Sequence, residues 1–513
     1  MTSIVESTQP GVIAIINGGR VASPIAQQPT STFFVVGYTP WGPANVPTTV
    51  TSYADFARQF MGGNGFDANS YLDDALHAFF NLFPGRQAVV VRVVGAAKTL
   101  GTLSLKDGSA GAGLNTLRVD AKYPSLRADI KVTVAAGTLA DTFKLTVRSL
   151  FVEGGRTEIF DNLTLADAAT LVYVNQTSKL VNLTNLASAT AAPLNNPRVL
   201  AETALAAGVD DFAGLSAGDF VGVAGPPKTG LQALNDEIYG TGQVAVPGIT
   251  DETTHAALIA HAAAYHRLAL LDPPLASSKS DVATSRAIYG SSHGALYWPW
   301  VKCLGFDGSG VTKFYPPSGF AAGACAQVDR TIGVHKAPAN IVVPAAIDVE
   351  RLSGGQPQVD DATREYLNGL DVNVIAPLSN QGVKIYGARV MTPADRRVSF
   401  VHEIRLLNEL YYAGKLGYQW AVFQVVDGNG RLFRDLRSSG NAFLRNFYQA
   451  GALYGKTEKE AFVVIADDSN NPAEELALGR VHIQWAVRIS PTSEIIILHI
   501  DNVPLIQDLS VLQ

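Results

Sequence analysis

Runs of consecutive apolar residues alternate with amphipathic stretches over residues 31–95 and again over 200–382, a rhythm that predicts strands buried on both faces and joined by helices. In the first block STFFVVG opens a buried strand, and a turn-rich loop leads to a second strand at VPTTV. YADFARQF then predicts a short helix, and NSYLDDALHAFFNLF an amphipathic one with Leu72, Leu76, Phe79, Phe80 and Phe83 on one side. The strand QAVVVRVVG (Gln87 to Gly95) closes the block. Near Gly230 the rhythm resumes with the strand GQVAVPGIT, a helix over DETTHAALIAHAAAYHRL, and the strand LALLDPP, ended by Asp272-Pro273-Pro274. A helix near Ser280 to Tyr289, one strand over GALYWPWVKCLGF and a turn and helix within KFYPPSGFAAGACAQVDRTIG follow, and GVHKAPANIVVPAAI and DVNVIAPLSNQG lead into the C-terminal unit.

Between residues 96 and 199 the period changes to two. TLGTLSLKDG, NTLRVDAKY, DIKVTVAAG, TFKLTVRSLFVEGG and RTEIFDNLTL alternate apolar with polar positions between turn residues, which predicts an inserted all-β domain with a Thr-rich surface. Such an insertion is expected to decorate the outside. Residues 383–502 then predict a C-terminal α/β unit. VKIYGARV is a buried strand, and a helix follows with Val398, Val401, Ile404, Leu406, Leu407 and Leu410 at helical spacing and a stop at Gly414. After the apolar segment QWAVFQVVD come a second helix from Arg431 to Leu453 and the strands EAFVVIADD, RVHIQWAVRI and EIIILHI. Expected organisation is therefore a multidomain, layered α/β protein: an arm (1–30), an α/β domain (31–95 with 200–382), the β insertion (96–199), a C-terminal α/β domain (383–502) and a final arm (503–513).

Both arms are apolar in a way that one α/β domain does not need. Val12, Ile13, Ile15 and Ile16 form a lone strand pattern near one end. Leu505, Ile506, Leu509 and Val511 follow Ile495 and Ile497 of the last strand at the other. Segments of this kind can add to a neighbour's sheet edge and bury their side chains there, so they are candidate inter-subunit strands. Gly18, Gly19, Asn502 and Pro504 beside them are candidate hinges.

Composition sharpens this expectation. The chain of 513 residues is 47% hydrophobic and only 16% charged, with 47 glycines and 26 prolines, which suits a globular, loop-rich protein with large protein contacts. A net charge of -6 argues against general nucleic-acid binding. The first residues lack a basic region followed by a long apolar core, so no signal peptide is expected, and no apolar run is long enough for membrane insertion.

Candidate chemistry changes the picture little. The two cysteines, Cys303 and Cys325, have no metal-ligand spacing and are expected to be buried thiols. GVAGPPKTG (Gly222 to Gly230) places Pro227, which has no amide proton, where a phosphate loop needs glycine. GSAGAG (Gly108 to Gly113) has the wrong glycine order for a dinucleotide fold. His255, His261 and His266 share a predicted helix without the spacing of a metal pair, and Asp272 precedes a turn. Asp427, Asn429 and Gly430 lack the spacing of a calcium loop. No catalytic residue, cofactor site or metal site is assigned; an α/β hydrolase or nucleotide-binding enzyme would need a convergent polar site, and none is found.

Several motifs in order carry a family resemblance. ALYWPWVKCL, PPSGFAAGACAQVDRTIGVHKAPAN, LNGLDVNVIAPLSNQGVKIYGARVMT, FLRNFYQAGALYG and DDSNNPAEELALGRVHIQWAVRISPTSEIIILHI resemble the contractile tail sheath proteins of bacteriophages and related injection systems. PGVIAIING and the segment from TFFVVGYTPWGPANVP onward resemble the family's opening. The resemblance implies a structural subunit, not an enzyme, that polymerises with itself as stacked hexameric rings around an inner tube and contracts to drive that tube through a cell envelope. It implies further partners in the inner tail tube protein and in baseplate and tail terminator proteins, with no direct nucleic-acid contact. It also implies a place in the sheath of a virion tail assembled in the host cytoplasm, or in a non-viral injection system. Family members turn a helix at the position of Arg431 to Leu453 toward the tube, so Arg434, Arg437, Asn441 and Arg445 become candidate tube contacts.

Overall fold

The computed structural model describes residues 24–62, 70–351, 359–392 and 398–497. In the first block the elements are β1 (Thr32–Tyr38), β2 (Thr48–Val50), α1 (Tyr53–Phe60), α2 (Tyr71–His77) and β3 (Ala88–Val93). The insertion carries β4 (Thr102–Lys106), β5 (Asn115–Ala121), β6 (Lys131–Ala136), β7 (Phe143–Ser149), β8 (Arg156–Leu163), α3 (Ala168–Thr177), β9 (Val181–Asn185) and β10 (Leu200–Ala204). After it come α4 (Ala217–Val221), β11 (Gly242–Ala245), α5 (Glu252–Ala264), β12 (Leu268–Leu271) and α6 (Lys279–Ile288). There follow β13 (Gly294–Trp298), β14 (Val301–Leu304), β15 (Thr312–Tyr315), α7 (Pro317–Thr331), β16 (Ile341–Val342) and β17 (Ala346–Val349). Then come α8 (Asp361–Gly369), β18 (Val372–Leu378), β19 (Gly382–Ile385) and α9 (Val401–Gly417). Last are α10 (Arg431–Gln449), α11 (Glu458–Ala461), β20 (Phe462–Ile465), α12 (Ala473–Ala477) and β21 (Gln484–Val487).

Contacts divide the chain into two compact units, Gln27–Lys415 and a smaller one of Met1–Ala26 with Leu416–Gln513. The larger unit is built on a nine-stranded sheet in the order β16-β19-β18-β13-β12-β11-β1-β3-β2. Its middle strands, β18, β13, β12, β11, β1 and β3, are parallel, and the edge pairs are antiparallel. Every residue of β1, β3, β11, β12 and β13 is buried, as their largely apolar runs require of a sheet covered on both faces.

The insertion has its own core around Leu117, Val132, Leu145, Val147 and Leu183 in two further sheets, β10-β6-β7-β8 and β4-β5-β9. Two side chains of the main block fasten it. Trp41 joins the insertion's core and meets Tyr123 edge-on at 5.1 Å between centroids. The buried guanidinium of Arg92 donates to the carbonyls of Thr39 (2.7 Å), Gly42 (2.8 Å) and Pro124 (2.8 Å).

Several expectations need correction. The insertion is not all β, because α3 follows an Asp167 cap whose carboxylate accepts from Ala169 N–H. GALYWPWVKCLGF is not one strand: β13 lies in the large sheet, and β14 pairs with β15 and β17 in a separate three-stranded one. Pro299 lacks the amide that a continuous ladder would need. VKIYGARV forms only the short β19, while α9 runs through Gly414 to Gly417. QWAVFQVVD has a single tight turn at Gln419–Ala421, and Glu494 to Ile497 carry no strand. The remaining residues of EIIILHI lie outside the described residues.

Candidate functional site

In the smaller unit, the local sequence builds a platform from α10 and one strand pair. The carboxylate of Asp427 accepts from Arg431 N–H at 2.9 Å and satisfies an amide at the start of α10. Leu432, Phe433, Leu436, Phe443, Leu444 and Phe447 fall on its buried face. Against that face lie β20 and β21, antiparallel with Val464 opposite Trp485. The rings of Trp485 and Phe443 sit 5.7 Å apart, and Trp485 Nε1 donates to Tyr418 Oη (3.1 Å), which donates to the Leu436 carbonyl (3.1 Å). Burial pushes the Tyr418 phenol up to about 12, so it stays a donor. Gly440 is where this packing is closest, since a Cβ there would lie 2.6 Å from Tyr418 Oη and 3.0 Å from Trp485 Nε1.

Across the ladder the other side of the pair behaves differently. Val463 stands opposite Ala486 and both are exposed, so one face of the two-stranded sheet is covered by α10 and the other faces solvent. Beyond β21 the chain continues through Ile495, Ile496 and Ile497, all largely exposed. The other candidate strand residues, Val12, Ile13, Ile15, Ile16, Leu505, Ile506, Leu509 and Val511, lie outside the described residues.

The four candidate tube contacts share a helix without being equivalent. Arg445 is in a bidentate pair with Glu458, at 2.8 and 3.1 Å. Arg437 donates to the Ala466 carbonyl (3.0 Å) and to Asp467 (3.2 Å). Arg434 is exposed and has no ion-pair partner among the described residues, and Asn441 is half-buried. Arg434 and Arg437 also line a cleft of about 360 Å³ with Asp427, Asp467 and Asp468. Sequence reasoning missed the internal pairing, whose only signal was acidic residues far along the chain.

None of the residues weighed for catalysis forms a site. His255 approaches the Ile249 carbonyl (3.2 Å), His261 lies between Asn235 Oδ1 and Arg267 (2.8 Å each), and His266 stacks on Tyr411. Burial pushes His255 and His261 down to about 4 and about 3, so both are neutral at pH 7. Asp272, at the end of β12, accepts from the amide and hydroxyl of Ser318 (2.7 Å each) and from Gly248 N–H (3.0 Å), and so binds the start of α7 to the sheet. Lys228 of the glycine-rich loop donates to the Asn235 carbonyl at 2.6 Å. Cys303 and Cys325 are buried thiols pushed up to about 12 and about 11 by that burial. Among the described residues no group of His, Cys, Asp and Glu is placed to hold a metal, and no helix is long and apolar enough to cross a membrane.

Residues 222–391 match the family model for the phage tail sheath protein central domain. The fold is similar to that of the anti-feeding prophage helical sheath in its contracted state, at 20% identity over 97% of this chain and 99% of that one (TM-score 0.56). It is also similar to the contracted sheath complex of an extracellular contractile injection system, PVC, at 17% identity over 99% and 100% of the two chains (TM-score 0.51). A sheath tail protein from Listeria innocua aligns at 13% identity over 87% of this chain and 90% of its own (TM-score 0.60). No curated protein is a significant sequence relative. The chain thus shares the fold of these sheath proteins, and its residues 222–391 resemble the tail sheath central domain.

Proposed function

We propose that this protein is the structural subunit of a contractile sheath, polymerising as stacked hexameric rings around an inner tube and contracting to drive that tube through a cell envelope. The observation that carries the reading is the sheath central domain at residues 222–391, inside a fold that aligns with sheath chains over nearly their whole length. In the smaller unit, the sheet of the described residues has two strands, below the size at which strands are stable alone, and the outer edges of β20 and β21 suit strands added from neighbours. The terminal arms, with Ile495 and Ile497, supply such strands. The α10 stripe meets the tube, with Arg434 as a cation that has no ion-pair partner among the described residues and Arg437 and Arg445 as cations already balanced within the subunit. Weak, screened contacts of this kind break readily when the sheath moves. Baseplate and terminator proteins cap the two ends of the polymer, and the assembled particle acts outside the cell that made it.

Alignment over almost the entire length of the anti-feeding prophage and PVC sheaths favours a second, narrower reading, that the sheath serves a non-viral injection system. Electron microscopy of the purified protein tests the main reading. Hollow helical sleeves are expected; a protein that stays monomeric at high concentration overturns it.

A further inference from the structure

The polypeptide passes between the two units twice, after Ala26 and after Lys415. On the side of the larger unit both passages start from one buried group of charges. Arg405 on α9 is 2% exposed and donates to Asp329 Oδ2 on α7 at 2.5 Å and to the Thr30 carbonyl at 3.4 Å. The Thr30 hydroxyl donates to the same Asp329 oxygen at 2.6 Å, and Gln243 Nε2 donates to the Thr30 carbonyl at 2.9 Å. One turn along α9, the buried carboxyl of Glu409 accepts from the Gln28 backbone N–H. The first link is thereby fixed to the helix that leads into the second. In the smaller unit Ile25 fills the space beside Gly417, where a Cβ would meet it at 2.6 Å.

The cluster holds two acids and one base. Other titratable groups around it are Tyr297 and Cys325, which face Arg405, and His335, which faces Asp329. Asp329's charge and hydrogen bond hold Arg405 above its usual range despite burial, so it is always a cation. One ionised carboxylate balances it. A second ionised carboxylate leaves net negative charge out of water, which is costly.

We propose that Asp329, Arg405 and Glu409 form a pH-sensitive clamp on the paired links, closed when Glu409 is protonated and progressively easier to open as Glu409 ionises. Burial first, and the Asp329 charge second, raise the Glu409 carboxyl to about 8, while Arg405 and the Gln28 amide act in the opposite direction. The sign follows from linkage. The closed state binds the proton more tightly than an open, hydrated one, whose carboxyl titrates near the usual 4.5. The stabilisation of the closed clamp is therefore complete below about pH 4.5, falls as pH rises toward 8, and is level above that.

Hydrogen exchange of peptides spanning residues 24–30 in the full-length protein, followed by mass spectrometry across this pH range, is the test. Base catalysis alone raises exchange about tenfold per pH unit, and easier opening multiplies that by up to about ten more. The log-rate plot is expected to be steeper than one below pH 8 and to relax to a slope of one above it. Glu409→Gln should show a slope of one throughout, and Asp329→Asn should move the break to lower pH. A wild-type slope of one across the range, or the same break in Glu409→Gln, overturns the proposal. Should Glu409→Gln not fold, the wild-type and Asp329→Asn profiles decide. The readout is local to the links and does not depend on whether the chain polymerises.

Discussion

Replacing Ile495, Ile496 and Ile497 together by alanine separates the stability of the subunit from that of its assembly. These side chains are 75%, 86% and 74% exposed in the single chain, so their removal costs the isolated fold little. If they are buried against a neighbour, each change removes three methyl or methylene groups at about 0.8 kcal/mol apiece. Scaled by the exposed fraction, the three changes amount to about 6 kcal/mol per contact as an upper bound. That is about four powers of ten in the association constant between subunits. Thermal unfolding of the dissociated chain should be unchanged, while sedimentation and electron microscopy show the loss of sleeves at concentrations where the parent chain polymerises. A variant that still assembles but melts several degrees lower would refute the reasoning, since the isoleucines would then pack on their own subunit.

Arg434→Glu should leave unfolding unchanged and weaken co-sedimentation with the tube protein, most at low ionic strength; Arg437→Glu should also disturb the subunit, because it abandons the Ala466 carbonyl and meets Asp467. Asp272→Ala strips an acceptor from three buried donors and should cost about 2–4 kcal/mol in urea unfolding. Burial raises the Asp272 carboxyl to about 6, so folding favours its protonated form. Wild-type stability should accordingly decline between about pH 4 and pH 6, a decline that Asp272→Asn lacks. Arg92→Ala leaves three carbonyls without a donor, and should cost about 3–5 kcal/mol and speed proteolysis at the junction with the insertion.

The parts of the fold that were legible in the sequence are those where one local rule governs. YADFARQF is a helix over Tyr53–Phe60 because Ser52 caps it and Phe56 and Phe60 return to the core. QAVVVRVVG is a strand because a β-branched run, interrupted by Arg92 alone, suits a sheet covered on both faces. The misreadings come where two rules compete. In α3, Thr170, Val172, Tyr173 and Val174 have strand preferences, against which the Asp167 cap, Ala168, Ala169 and Leu171 favoured a helix. Strand order was hidden because β1 lies between β3 and β11, whose partners are separated from it by a helical crossover or by the whole insertion. The arginine stripe of α10 was visible as a period of three to four. Its partial neutralisation was not, since Glu458 and Asp467 lie 13 and 30 residues from their partners.

The two units differ in how completely they satisfy themselves. In the larger one, parallel strands are covered on both faces and an interior arginine finds three carbonyls. Among the described residues of the smaller one, two strands lie under the helix α10, and exposed isoleucines extend past their end. A sheet of two strands gains stability when further strands pair with it. Stability of the smaller unit should then rise with protein concentration, as it does whenever the native state alone binds its partner. The larger unit should unfold at a temperature independent of concentration. Calorimetry of the full chain over a dilution series would show two transitions, of which only one moves; two fixed transitions would mean that the smaller unit completes its own sheet.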